Sequence, residues 1–264
     1  MSKNKEMGND ITVIIPVFNI DSELFTNAID SIKAQIELPD EVLIVVGKDT
    51  DDHKVVLKEN YDGLNVRLLD HSESTSFASQ MNLGVKYCNT KWFSFLEQDD
   101  EMSKIWLKNA IDYRKVYTDI DIFLPIIIDV DKEGKLAGLS NQAAWAHTFS
   151  EEMGILDNAA LLSNQNFNFG GMVMNQEIYL EFGGIKENVK LTFMYEFLLR
   201  MTFNSNKVMI IPKLGYKHIN MREGGLFDNY ISELSPEEST WWLEMAKKEY
   251  FHIHDRGTQY EKKV

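Results

Sequence analysis

After a polar stretch from Met1 to Asp10, the chain enters Ile11-Thr12-Val13-Ile14-Ile15-Pro16-Val17, a β-branched run closed by proline. A run apolar at nearly every position, rather than every second one, predicts a parallel strand buried on both faces. Asp21-Ser22-Glu23 can cap a helix whose apolar residues Leu24, Ala28, Ile29 and Ile32 recur at helical spacing, and Pro39-Asp40 breaks it. Glu41–Val46 and residues 65–69 predict two more strands, a helix follows from about Ser76 to Tyr87, and residues 91–96 predict a fourth strand. Strand and helix in alternation imply a parallel sheet with right-handed crossovers, a Rossmann-like wind.

The second half is less regular. Residues 123–130 predict a strand, Asp131-Lys132-Glu133-Gly134-Lys135 a hairpin turn, and residues 141–168 a looser, Asn-rich segment. Helical periodicity returns at 176–182 and 192–203, with a short strand over 208–212. Ser235-Pro236 starts a last helix carrying Trp241, Trp242, Met245 and Ala246. That stripe reads as core or packing surface, and it is the first candidate for a dimer face; the oligomeric state is otherwise unreadable.

Composition narrows the classes. With 264 residues, 44% hydrophobic and 26% charged, the chain can build one large α/β domain or two small fused ones. A formal charge of -14 argues against nucleic acid and against anionic lipid, because both need clustered Lys and Arg. The lone Cys88 points to a reducing compartment. Residues 1–10 have no apolar signal core, and apolar runs such as Ile122 to Ile128 are too short for a transmembrane segment. The expectation is a cytoplasmic, soluble protein, or one peripheral at the membrane.

Chemistry concentrates in Phe95-Leu96-Glu97-Gln98-Asp99-Asp100, a hydrophobic strand running into three carboxylates within four residues. The carboxyl edge of a parallel sheet is where ligands bind. Crowded carboxylates either hold a hard divalent cation, Mg or Mn, or form a solvated turn capping the next helix. His252 and His254 alternate in a segment read as solvated, and Trp145 could form an aromatic floor for a ligand as readily as it could pack in a core.

The order Val13-Ile14-Ile15-Pro16-Val17-Phe18-Asn19, Glu41-Val42-Leu43-Ile44-Val45-Val46, Met81-Asn82-Leu83-Gly84 and Phe95-Leu96-Glu97-Gln98-Asp99-Asp100 resembles family 2 glycosyltransferases. Phe182-Gly183-Gly184-Ile185-Lys186-Glu187 is similar to that family's Gly-Gly-aromatic-Asp-Glu turn, and the resemblance extends over roughly residues 10–225. It implies an α/β GT-A fold, a mostly parallel Rossmann-like sheet flanked by helices with a small acceptor-side extension. The expected organisation is a single domain over 1–264: a nucleotide-sugar half at 10–125, an acceptor-binding and catalytic half at 126–230, and a C-terminal helical extension at 231–264.

The resemblance also implies roles. Glu97 and Asp99 occupy the D-x-D positions, with Asp99 the direct metal ligand, Glu97 nearer the ribose or metal-bound water, and a late His218 completing the metal set. Pro16, Val17, Asn19, Asp49, Asn82, Gln98 and Arg222 are expected around the donor, with Arg222 available to the leaving group. Trp145, Gly170 and Gly171 are expected on the acceptor side. The expected partners are a UDP-sugar and a carbohydrate or lipid-linked hydroxyl acceptor, and the implied reaction is a single in-line displacement with inversion. Departures from the family are Gly47-Lys48 where it has an acidic pair, Met81 for its Arg, and Phe193-Met194 for its Glu-Asp pair. Glu196 is the remaining candidate base; it is also an i,i+4 partner for Arg200. A chain that kept the fold and lost turnover, binding nucleotide or carbohydrate, is the alternative.

Overall fold

The computed structural model describes residues 9–48, 50–72, 76–131, 133–142, 154–163, 167–219, 232, 234–249 and 252–253. The described strands are β1 (Ile11–Val17), β2 (Glu41–Val46), β3 (Val66–Asp70), β4 (Trp92–Phe95), β5 (Glu101–Met102), β6 (Ile122–Val130), β7 (Leu136–Ser140), β8 (Ile155–Leu156), β9 (Val173–Asn175) and β10 (Val208–Ile219). The helices are α1 (Ser22–Lys33), α2 (Thr50–Lys58), α3 (Phe77–Tyr87), α4 (Trp106–Val116), α5 (Asn158–Ser163), α6 (Gln176–Glu181), α7 (Phe193–Phe203) and α8 (Pro236–Glu249).

All described strands join one sheet, ordered β3-β2-β1-β4-β9-β6-β10-β5, with β7 on β6 and β8 on β10. The β3-β2-β1-β4 half is parallel; β9 enters antiparallel between β4 and β6, and β6 pairs parallel with β10. The pleat divides each central strand between two cores. On β1, Ile14 joins one core while Val13, Ile15 and Val17 join the other; on β2, Leu43 and Val45 separate from Val42, Ile44 and Val46 in the same way. Near-continuous hydrophobicity is therefore what two covered faces require. One face is closed by α1 and α4, the other by α3, α6, α7 and α8.

Three helices lie outside the elements read from the hydrophobic pattern. In α2 the sequence TDDHKVVLK is mostly polar, and Val56 is its one hydrophobic side chain buried in the core. The short α5 falls in the segment expected to be loose, with Leu161 buried. In α4 the buried Trp106, Leu107, Ala110 and Ile111 recur at helical spacing directly after the acidic run. The last strand is longer than the pattern implied. Pro212 has no N–H for the ladder, and β10 passes it through register shifts between Ile210 and Leu214 and between Leu214 and Tyr216. The strand then continues to Ile219, so His218 lies inside it rather than after it. Trp242 is core, one of the two readings of its stripe: it is 2% exposed and packs within the chain beside α7.

Candidate active site

The acidic turn leaves the carboxyl end of β4. Leu96 N–H donates to Ile14 O at 3.1 Å, continuing the β1 pairing, and the chain then turns with Asp100 N–H on Glu97 O at 3.2 Å. Gln98 is buried and clips this turn to the exit of β1: its Oε1 accepts from Phe18 N–H at 2.7 Å and its Nε2 donates to Phe18 O at 2.6 Å. Asp52, on α2, accepts from Asn19 N–H at 2.9 Å and Ile20 N–H at 2.8 Å, closing the same loop from the other side. Asn19 has φ +51°, a left-handed conformation that Asn adopts more readily than most residues. The result is a fixed β1 exit loop beside a fixed acidic turn.

Across the sheet edge, β10 delivers His218. Its Nδ1 lies 3.0 Å from Asp100 Oδ2, while Asp100 Oδ1 accepts from Ile219 N–H at 2.9 Å. Glu97, Asp100 and His218 each offer one ligand atom, and these lie within 4.8 Å of one another. Asp100 is 1% exposed and His218 about one-fifth, so the cluster opens to one side only. Burial by itself disfavours a charged imidazole, but Asp100, Glu97 and Asp129 outweigh it and raise the His218 pKa to about 10. A metal ion would compete with that proton, because a ligating imidazole must be neutral; with it released, two carboxylates and one imidazole form a donor set that could hold Mn or Mg.

Several expected residues occupy other places. Asp99 is half-buried and is not one of the three; Asp100, one residue on, is the carboxylate that lies against His218. Gln98 is engaged with the Phe18 backbone. Asn82 bridges α3 to the Gly-Gly turn, donating to Ile185 O at 2.8 Å and accepting from Tyr179 Oη at 2.7 Å and Ile185 N–H at 2.9 Å. Gly170 and Gly171 are buried behind the Tyr216 ring, where an added Cβ would stand 2.7 and 2.8 Å from ring carbons. Pro16 and Val17 are buried in β1, so they reach the site edge as backbone. Asp49, Trp145 and Arg222 lie outside the described residues.

Glu196 departs furthest from its expected role. It is 0% exposed on α7, bound by the Arg200 fork at 2.9 and 3.2 Å and by Lys186 Nζ at 3.3 Å. Arg200 also donates to Phe182 O and Gly184 O, tying α7 to the Gly183-Gly184 turn. A carboxylate held by two buried cations does not face an acceptor. The preceding Phe193 packs at 5.4 Å from Phe77 and 6.0 Å from Phe169, measured between ring centroids. Asp52 and Tyr216 are the residues that sequence reasoning missed, and Asp100 was read only as part of the acidic run. Tyr216 carried a signal, being two positions before His218 and hence on the same face of the strand.

A mixed sheet with a nucleotide-binding-like parallel half, an acidic turn at the end of β4 and a histidine from a late strand define the GT-A class of fold. The chain belongs to glycosyl transferase family 2, whose model matches residues 12–181. In structure it is similar to Staphylococcus aureus TarS 1-349 in complex with UDP-GlcNAc, with TM-score 0.67 and 18% identity, covering 94% of this chain and 67% of that one. The complex of TarS 1-349 with UDP superposes with TM-score 0.60 and 18% identity, covering 94% and 72%. In sequence the chain is 32% identical over 98 residues to a teichoic acid poly(glycerol phosphate) polymerase of Staphylococcus epidermidis, covering 36% of this chain and 13% of that protein. It is 28% identical over 136 residues to the minor teichoic acid biosynthesis protein GgaB of Bacillus subtilis, covering 50% and 15%. The chain thus spans less than a sixth of these curated relatives' length. Among the described residues no helix is long and apolar enough to cross a membrane.

Proposed function

We propose that the chain is a metal-dependent inverting glycosyltransferase that moves a sugar from a UDP-sugar to a hydroxyl of a carbohydrate or lipid-linked acceptor, of the teichoic acid kind that its relatives' names suggest. The observation that carries this is the convergence of Glu97, Asp100 and His218 at the carboxyl end of β4, beside the exit of β1. The names of the TarS complexes support the choice of UDP as nucleotide. In this reading residues 10–125 bind the donor, 126–230 the acceptor, 231–264 pack behind as a helical extension, and the protein works in the cytoplasm or at the membrane surface.

Glu97, Asp100 and His218 would hold a Mn or Mg ion, which would supply positive charge against the diphosphate leaving group. The loop held by Asp52 and Gln98 orients the nucleoside end of the donor, and its rigidity lowers the entropy cost of aligning the anomeric carbon. Asp99 and Glu97, both partly exposed, are the carboxylates on the turn that can reach bound donor or acceptor.

A second reading has one observation in its favour: Glu196 is buried in ion pairs, and Phe193 and Met194 precede it. A protein with this architecture could bind donor without turning it over. Release of UDP from a panel of labelled UDP-sugars, measured with manganese and with chelator, separates the two. Manganese-dependent release that Asp100→Asn abolishes supports the transferase. Manganese-dependent binding by calorimetry with no release in the presence of any acceptor favours the binding protein, and no binding at all rejects both.

A further inference from the structure

Tyr216 lies on β10, two residues before His218, with its ring 2% exposed. Its hydroxyl accepts the Glu97 N–H at 3.0 Å and stands near enough to the Asp100 carboxylate to feel its charge. One phenol oxygen therefore bonds the backbone of one clustered residue and stands two positions from another. Asp100 itself is held by Ile219 N–H and His218 Nδ1. The hydroxyl joins β10 to the turn after β4, 119 residues apart in sequence.

The ring has no free space on its glycine side. Behind it, the Gly170-Gly171 backbone approaches so closely that neither residue could carry a Cβ without a clash. That backbone is itself tied down: Gly171 N–H donates to Phe95 O at 3.0 Å, and Gly171 O accepts from Trp106 Nε1 at 2.7 Å and Ser94 Oγ at 3.2 Å. Packing asks only for the ring, and a Phe would fill the same volume. The hydroxyl is the part that packing does not require, and it is directed at the acidic turn.

We propose that the Tyr216 hydroxyl is the positioning group of the cation site, holding the Glu97 backbone, and with it the acidic turn, in the arrangement a divalent ion needs. The proposal rests on the metal-dependent reading above, and the experiment distinguishes failure of the two. The probe is Mn alone, titrated into the full chain and followed by the electron paramagnetic resonance of free Mn. Tyr216→Phe is compared with wild type and with Tyr179→Phe, which also removes a buried phenol hydroxyl but one bonded to Asn82, away from the acids.

Partners that orient a metal's ligands typically contribute about 10–100-fold in affinity, and a loss of that size is expected for Tyr216→Phe, with Tyr179→Phe within about twofold of wild type. In turnover the same variant should lose kcat at saturating manganese less than at limiting manganese. A Tyr216→Phe protein that binds Mn as wild type does, or a Tyr179→Phe protein that loses as much, overturns the positioning role and leaves the metal centre standing. A wild type that binds no Mn removes the metal centre and this proposal together. If Tyr216→Phe does not fold by circular dichroism, Gly170→Ala carries the test, since it displaces the ring and keeps the hydroxyl. Weakened Mn binding by that folded variant supports the role, and unchanged binding overturns it.

Discussion

Two carboxylate centres in this chain resemble each other in sequence and differ in physics. At the end of β4, Glu97 and Asp100 stand together with His218, with Glu97 and His218 partly exposed and Asp100 buried. On α7, Glu196 is fully buried between Arg200 and Lys186. The first centre sets two carboxylates beside one imidazole; the second sets one carboxylate between two cations. Removing two charges from water costs several kcal/mol per ion, so a buried pair persists only with close geometry and further hydrogen bonds, which Arg200 finds at Phe182 O and Gly184 O. The difference teaches that what a carboxylate can do depends on the cations the fold brings to it, more than on its place in a motif.

The largest effect is expected where that buried network is broken. Arg200→Met or Glu196→Gln should lose about 3–5 kcal/mol of stability in urea titrations, because an uncompensated charge stays buried. If Glu196→Gln instead unfolds like wild type and loses only kcat, the carboxylate is a catalytic base and the contrast collapses. Asp100→Asn attacks the other centre. It should lose Mn affinity by more than the ~10–100-fold typical of a ligand's outer partners, with the wild-type circular dichroism spectrum retained. Mn titration of that variant at wild-type affinity would show the acidic turn to be no cation site.

A smaller effect is expected at the turn that Arg200 holds. Gly184 has φ +63°, and an added Cβ would stand 2.5 Å from Asn82 Oδ1. Gly184→Ala should therefore cost about 1–3 kcal/mol by chemical denaturation, and a neutral result would mean that the turn moves independently of α7.

The smallest effect belongs to a third carboxylate, intermediate between the two centres. Burial opposes ionisation of Glu41, but its bonds with Arg67, Asn89 and Thr12 outweigh that and lower its pKa. A lowered folded-state pKa means stability present above the unfolded value near 4.5 and lost as pH falls through the folded one. Glu41→Gln should flatten the acid limb of the stability profile below about pH 4.5. The change should be under ~1 kcal/mol, since Arg67 is partly solvent-screened. A wild-type acid limb in the variant would assign the pH dependence to other carboxylates.

Much of the donor half was legible because its signals are local. Runs such as Ile11–Val17 and Glu41–Val46 are hydrophobic on both faces, and Asp21 caps α1 by accepting from Glu23 and Leu24 N–H. Even the Glu196–Arg200 pair could be read, since i,i+4 spacing is a property of the helix alone. The burial of that pair could not, because it depends on Lys186 arriving from the Gly-Gly turn and on α8 and α6 packing around α7. The helix α4 escaped because its spaced apolar residues follow the acidic turn without a side-chain cap to mark its start.

By itself, then, the sequence determined the parallel strands, the acidic run at the end of β4 and the family, since period, composition and motif order are written along the chain. Only the tertiary structure decided that Asp100 rather than Asp99 joins Glu97 and His218, that Gln98 and Asn82 tie backbones together, and that Tyr216 stands behind the acidic turn. The physical reason is that these outcomes depend on contacts across roughly a hundred residues, set by the register of β10 past Pro212 and by which side chains its bulge turns toward β4.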